Sequence, residues 1–222
     1  IGRVAAGTLT LPELKRVEAL ACPGPGSCAM MGTANSMSVI AEALGMSLPG
    51  CATIHASDPR KMDIAYQSGK QIMELFTTHL QPSKIITEQA LHNAITVSMA
   101  VGGSLNTCLH IPAIATELGI QIPLDLFDQI SSHTPHICAI KPSGAYTLKD
   151  LDDAGGLPAV MQRLSSRLNT ECITVTGQSI QSNILHTVIT NHEVIRPLSR
   201  PVHVEGSIAV LKGSLAPRGA VI

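Results

Sequence analysis

A thiol, Cys28, stands inside the run Cys22-Pro23-Gly24-Pro25-Gly26-Ser27-Cys28-Ala29-Met30-Met31-Gly32-Thr33-Ala34-Asn35-Ser36-Met37. Proline and glycine forbid regular structure before it, and the apolar spacing after it predicts a helix, so Cys28 is expected in that helix's first turn. Unpaired N–H groups and a positive dipole there stabilise a thiolate, or an anionic cluster bound by one. The glycines also let the backbone approach a bulky ligand. Cys28 is therefore the candidate metal ligand. Cys22 ends a helix and is less favoured. Cys51, Cys108 and Cys138 lie in apolar runs and read as structural thiols, and His110 and His136 read as satisfied side chains. A thiol redox reaction would need Cys22 and Cys28 within disulfide reach.

Other motifs fail on context. Gly24-x-Gly26-x-x-Ala29 has the dinucleotide spacing but follows a capped helix rather than a strand. No Gly-Lys-Ser/Thr phosphate loop occurs. Gly102-Gly103-Ser104-Leu105-Asn106 resembles a nucleophile elbow, with Asn106 where the second glycine is required.

The chain has 222 residues, 45% hydrophobic, with two Phe, two Tyr and no Trp, so its core must be aliphatic and methionine-filled. A net charge of −1 and the lack of basic stripes or aromatic platforms argue against nucleic acid. No apolar run is long enough for a membrane span, and no secretory pattern opens the chain. Six widely spaced cysteines with no C-x-x-C suggest free thiols in a reducing, cytoplasmic setting. The chain starts at Ile1 and stops within an expected strand, and so reads as part of a longer protein.

The elements that must position Cys28 follow from local signals. Thr10-Leu11-Pro12-Glu13 is a capping box opening a helix over about 11–21. From Cys28 a helical face runs through Met30, Ala34, Met37, Ile40, Ala41 and Leu44 to Gly45. Asp58-Pro59 opens a long helix with Ile64, Ile72, Met73 and Phe76 on its apolar side, and Thr87 caps another that breaks at Gly102-Gly103. A helix over about 107–118 contains Pro112, Thr147 starts a short one ended by Gly155-Gly156, and Pro158 begins the next. Residues 51–55, 136–140 and 174–177 read as short strands. The expected fold is α/β: a layered domain over 1–193 with helices around a mostly parallel sheet. A linker and the start of a β-rich, barrel-like domain follow over 194–222.

Several of these segments together resemble the dihydroxy-acid and sugar-acid dehydratase family, which includes phosphogluconate dehydratase. They are the Cys28 loop, Gly32–Met37 with Glu42–Pro49, Gly102–Asn106, Ile140–Gly144, Asp150-Leu151, Gly155–Val160, Val194–Leu198 and Gly213–Val221. The resemblance implies a homo-oligomer (dimer or tetramer) that removes water from a small 2,3-dihydroxy acid, giving a 2-keto acid through an enol. It implies an iron–sulfur cluster, [2Fe–2S] or [4Fe–4S], with Cys28 as one ligand, and a Mg²⁺ gripping the substrate carboxylate. The remaining cluster cysteines, the Mg²⁺ ligands and a base serine are expected outside this chain, so the chain alone is expected to lack both cofactors and activity. Thr33, Asn35, Ser104 and Asn106 become substrate-side or supporting groups. Leu105 stands where the family has threonine, which leaves branched-chain and sugar acids both open as substrates. A non-catalytic remnant serving binding or assembly is the competing reading.

Overall fold

The computed structural model describes residues 1–21 and 25–222; Cys22, Pro23 and Gly24, and with them the proposed Cys22–Cys28 pairing, lie outside the described residues. Its helices, in chain order, are α1 (Gly2–Ala5), α2 (Leu11–Ala21), α3 (Thr33–Ala43), α4 (Arg60–Thr78), α5 (Pro82–Ile85), α6 (Glu88–Val101), α7 (Thr107–Glu117), α8 (Leu124–His133), α9 (Leu148–Asp153), α10 (Gly156–Arg163) and α11 (Ile180–Ile184). Two strands follow, β1 (Val210–Gly213) and β2 (Ala216–Val221).

Side-chain caps set several of these starts. Glu13 accepts from the Thr10 N–H at 2.8 Å, Thr87 caps α6 through the Ala90 N–H, and Thr147 with Asp150 forms a capping box on α9. Gly102, at φ 78°, ends α6 in the left-handed conformation that glycine adopts without strain. The core gathers on α6, which packs against α3, α7, α8 and α10. Val39, Ile40, Leu91, Ile95, Met99, Ile111, Phe127, Leu151, Leu157 and Val160 are all fully enclosed there.

The expected α/β layering holds in its helical layers and its β-rich end. The sheet differs from expectation. Among the described residues the paired strands are the antiparallel hairpin β1–β2, with Val210 opposite Val221, and no parallel sheet is present. The segment 136–140 makes single bridges instead: His136 to His203, Cys138 to Ile195 and Ile140 to Tyr146. Pro135 and Pro142 bracket this run, and proline ends a ladder by removing its N–H donor. The bridges tie residues 195–203 to the body, and Val194, Ile195 and Ile208 join its core.

The long helix over 60–78 forms, but its apolar side is not buried. No residue of α4 is buried, and Met62, Tyr66, Ile72, Met73 and Phe76 stand exposed. The start of α3 is a second difference. That helix begins at Thr33, with Gly32 as N-cap, so Cys28 lies before it rather than in its first turn. Residues 29–32 bend instead, because the loop's backbone bonds are spent on other segments: Met31 N–H on Lys141 O at 2.7 Å, and Ala29 O on Leu148 N–H at 2.9 Å.

Candidate active site at the Cys28 loop

The same two backbone bonds bring two sequence-distant segments together: the Cys28 loop, which leads into the α3 N-terminus, and the turn 141–148. Asn35 secures them from within. Its side chain is buried; Nδ2 donates to Cys28 O at 2.6 Å and Met30 O at 2.7 Å, and Oδ1 accepts from Ser27 Oγ at 2.6 Å. Every polar atom of the amide is thereby used on the loop, so Asn35 shapes it and offers nothing to a ligand. The thiol of Cys28 is exposed. Its sulfur folds back to 3.9 Å from where a Cβ on Gly32 would lie, which puts it beside the N-cap of α3 in space though not in sequence.

Thr33, Ser104 and Asn106 form a second group. Asn106 Nδ2 donates to Thr33 Oγ1 at 2.6 Å, Thr33 and Ser104 hydroxyls lie 3.4 Å apart, and the Ser104 N–H donates to Ser36 Oγ at 2.9 Å. This links the start of α3 to the start of α7. Leu105, 43% exposed, sits at the edge of the group and adds no hydroxyl. The glycines before Ser104 permit the close approach, since a Cβ on Gly103 would lie 2.2 Å from Ser98 Oγ.

Cys28 opens on a cleft of roughly 250 Å³ that also takes in Ser38, Thr53, His55, Lys61 and Lys149. Three of these carry or can carry positive charge, so the cleft favours an anion. A larger groove of about 580 Å³ lies between α4 and the body, but Met46, Leu48, Leu75 and Phe76 make it mainly apolar and His79 is its sole ionisable side chain.

One wall of the Cys28 cleft, Ala52–Ala56, is held by two carboxylates. Glu42, 5% exposed, accepts from the Gly50 N–H at 2.6 Å and the Ala52 N–H at 2.8 Å. Burial pushes its carboxyl up to about 7, against the pull of those two N–H groups and of Lys61. Asp152 accepts from Thr53 Oγ1 at 2.9 Å and pairs with Arg60 at 2.5 Å, and Arg60 also grips Asp58. The Arg60 hydrogen bonds hold the Asp58 carboxyl down at about 2.

The other cysteines divide. Cys108 and Cys138 are buried and pushed up by desolvation, Cys108 to about 11, as structural thiols are. Cys51 is only half-buried, with Lys61 Nζ 3.9 Å from its sulfur and 2.6 Å from its carbonyl, because Glu42 turns this loop out of the apolar interior. His136 is less satisfied than expected: Nε2 pairs with Cys138 O at 2.8 Å, while buried Nδ1 lacks a partner. His110 is exposed.

Lys61, His55, Lys149 and Glu42 were not legible as site residues. Their only sequence signal is the Leu48-Pro49-Gly50 turn, which does not say that the loop after it returns to Cys28. Among the described residues no three His, Cys, Asp or Glu side chains converge on a point. Cys28 thus fits a cluster as one exposed thiolate ligand, and these residues alone do not complete one.

Residues 1–183 match the family described as "Dihydroxy-acid/6-phosphogluconate dehydratase N-terminal". The whole chain is 52% identical to a dihydroxy-acid dehydratase of Methanothermobacter thermautotrophicus, 49% to one of Methanobrevibacter smithii and 48% to one of Halothermothrix orenii. In each case it spans 41% of the relative's length. With that match over most of its length, the chain belongs to the dihydroxy-acid/6-phosphogluconate dehydratase family.

Proposed function

We propose that this chain is the cluster-binding part of a hydro-lyase that converts a 2,3-dihydroxy acid to a 2-keto acid, a dihydroxy-acid dehydratase of branched-chain amino-acid biosynthesis. The observation that carries the reading is the convergence on one cleft of an exposed thiol and the side chains of His55, Lys61 and Lys149. Whole-chain similarity to proteins named dihydroxy-acid dehydratase supports it. Hydroxide is a poor leaving group, and an iron–sulfur cluster, when bound, supplies a Lewis acid for it without a proton donor.

The chain's own residues supply position and charge. Cys28 offers one sulfur ligand, and Asn35 holds the carbonyls of Cys28 and Met30. Lys61 and Lys149 attract the carboxylate of an incoming acid toward the cleft. Thr33, Ser104 and Asn106 present hydroxyl and amide groups that match a polyol. Mg²⁺ binding, a homo-oligomeric state, a cytoplasmic location and a division at about residue 193 belong to the same proposal. No described helix is long and apolar enough to cross a membrane.

Sugar acids are the second substrate class, and Leu105, apolar where the family has threonine, argues for the branched-chain acid over them. The test is a segment exchange: residues 1–222 replace the matching part of the Methanothermobacter relative, with anaerobic reconstitution of iron and sulfide. Keto acid should form from 2,3-dihydroxyisovalerate, and Cys28→Ser should lower bound iron and abolish turnover in a folded protein. Faster turnover of a pentonate by tenfold, about 1.4 kcal/mol in transition-state free energy, would move the assignment to the sugar acids. An iron-loaded exchange protein that turns over neither would refute the reading.

A further inference from the structure

A single peptide unit joins the buried Glu42 to Lys61 in the cleft. The Ala52 N–H donates to Glu42 Oε2 at 2.8 Å, and the carbonyl of the same peptide, Cys51 O, accepts from Lys61 Nζ at 2.6 Å. The peptide is trans, so its N–H and C=O point to opposite sides. A carboxylate that takes the N–H from within therefore aims the carbonyl outward. The Gly50 N–H, on the other Glu42 oxygen at 2.6 Å, pins the chain just before Cys51 as well. The unit's dipole lies between a negative and a positive group, an order in which each hydrogen bond strengthens the next.

Lys61 depends on such an anchor. No residue of α4 is buried, so packing does not place the helix's first turn. Polar ties place it instead: Arg60 on Asp152, Lys61 N–H on Asp58 O at 2.9 Å, and Lys61 Nζ on Cys51 O. Of these three, the last alone fixes the tip of the Lys61 side chain, which is half-buried and lines the Cys28 cleft. An ammonium has three donors and Cys51 O uses one, which leaves two for an anion. A lysine held in this way has given up its rotamer freedom before the anion arrives.

We propose that Glu42 is a positioning residue: through the Cys51–Ala52 peptide it holds the Lys61 ammonium at the Cys28 cleft, ready for the carboxylate of the incoming acid. The part of Lys61 in capture rests on the dehydratase reading of that cleft, whereas the hold of Glu42 on Lys61 does not.

The iron-loaded segment-exchange protein tests both parts. Cys51 is a reporter within the arrangement, since its sulfur lies 3.9 Å from Lys61 Nζ. An ammonium there favours anionic iodoacetate over neutral iodoacetamide as the alkylating reagent. The ratio of the two products at Cys51, read by peptide mass spectrometry, should fall severalfold in Lys61→Met. It should fall also in Glu42→Gln, whose amide has one acceptor for two N–H groups, and further in Glu42→Met, which has none. Cys108 and Cys138, both buried, should stay unlabelled throughout, which reports an intact fold. With 2,3-dihydroxyisovalerate, Glu42→Gln and Lys61→Met should each raise KM about tenfold with little change in kcat. In the Lys61→Met background, Glu42→Gln should raise KM no further. A Cys51 ratio that stays at the parent value in folded Glu42→Gln would overturn the proposal, as would KM increases that multiply in the double variant. A ratio that falls as expected in an iron-loaded protein without turnover would uphold the hold of Glu42 on Lys61 and refute the dehydratase reading instead.

Discussion

Two of the longer helices of this chain, α6 and α4, have opposite fates. In α6, eleven of fourteen residues are buried; in α4, with nineteen, none is. Both carry apolar residues at helical spacing and read alike as amphipathic in sequence. The difference is what surrounds them. Around α6 stand α3, α7, α8 and α10, while α4 leans on the body along one edge and presents its wider apolar arc outward. The loop from α6 into α7 carries Ser104 and Asn106, so the buried helix positions the candidate site. Periodicity reports that a helix has an apolar face; it does not report what covers that face.

Core substitutions should break this contrast most visibly. Leu91→Ala, fully enclosed on α6, should cost about 2–5 kcal/mol of unfolding free energy, read as a shift in urea midpoint at unchanged slope. Met73→Ala on α4 should cost under about 0.5 kcal/mol. Equal losses at both positions would dissolve the distinction.

The Glu42 carboxylate sharpens the comparison through pH. Its folded pKa is raised to about 7 by burial, so the folded chain holds a proton that the unfolded chain has released. That contribution is fully present below the ordinary value of 4.5 and is lost as pH rises through 7, a total on the order of 3 kcal/mol. Chemical denaturation between pH 5 and 8 should show stability falling along this window, and Glu42→Gln should flatten the slope. His136 acts with the opposite sign. Desolvation lowers its folded pKa, so its contribution is present above its ordinary 6.5 and is lost on acidification. His136→Asn should reduce the loss of stability below that pH.

The smallest effect belongs to the surface. Lys149 and Asp153 pair at 2.7 Å four residues apart, both well exposed, and Lys149→Ala should leave the urea midpoint of unfolding unchanged. The same substitution should weaken capture of an anionic substrate if Lys149 edges the binding cleft, a rise in KM with little change in kcat in the segment-exchange protein.

Local chemistry made much of this legible in the sequence. Thr10 with Glu13, Thr87, and Thr147 with Asp150 announce their helix starts because a short polar side chain can satisfy the open N–H groups within three residues. Gly102 announces the end of α6 for a similarly local reason, its left-handed backbone. The same kind of signal singled out Cys28, although the helix beyond it begins at Thr33. Apolar spacing stayed silent there, because it cannot see that Lys141 and Leu148 take up the loop's backbone groups.

What only the tertiary structure decided is who meets whom. Asn35 closes its bonds on the Cys28 loop while Thr33, two residues earlier, turns to Asn106; the helix sets those directions, but the loop's return sets the partners. Lys61, Lys149 and the Glu42 clasp on Gly50 and Ala52 join the cleft from positions that share no spacing with Cys28. Of the short runs with strand composition, 136–140 found single bridges rather than a sheet, and 51–55 and 174–177 became turns, since pairing depends on a neighbour that composition cannot supply. Capping and turn preferences act over a few residues of chain and are written there. Burial, ion pairing and strand pairing act between segments that are distant in sequence, and they exist only once the chain has folded.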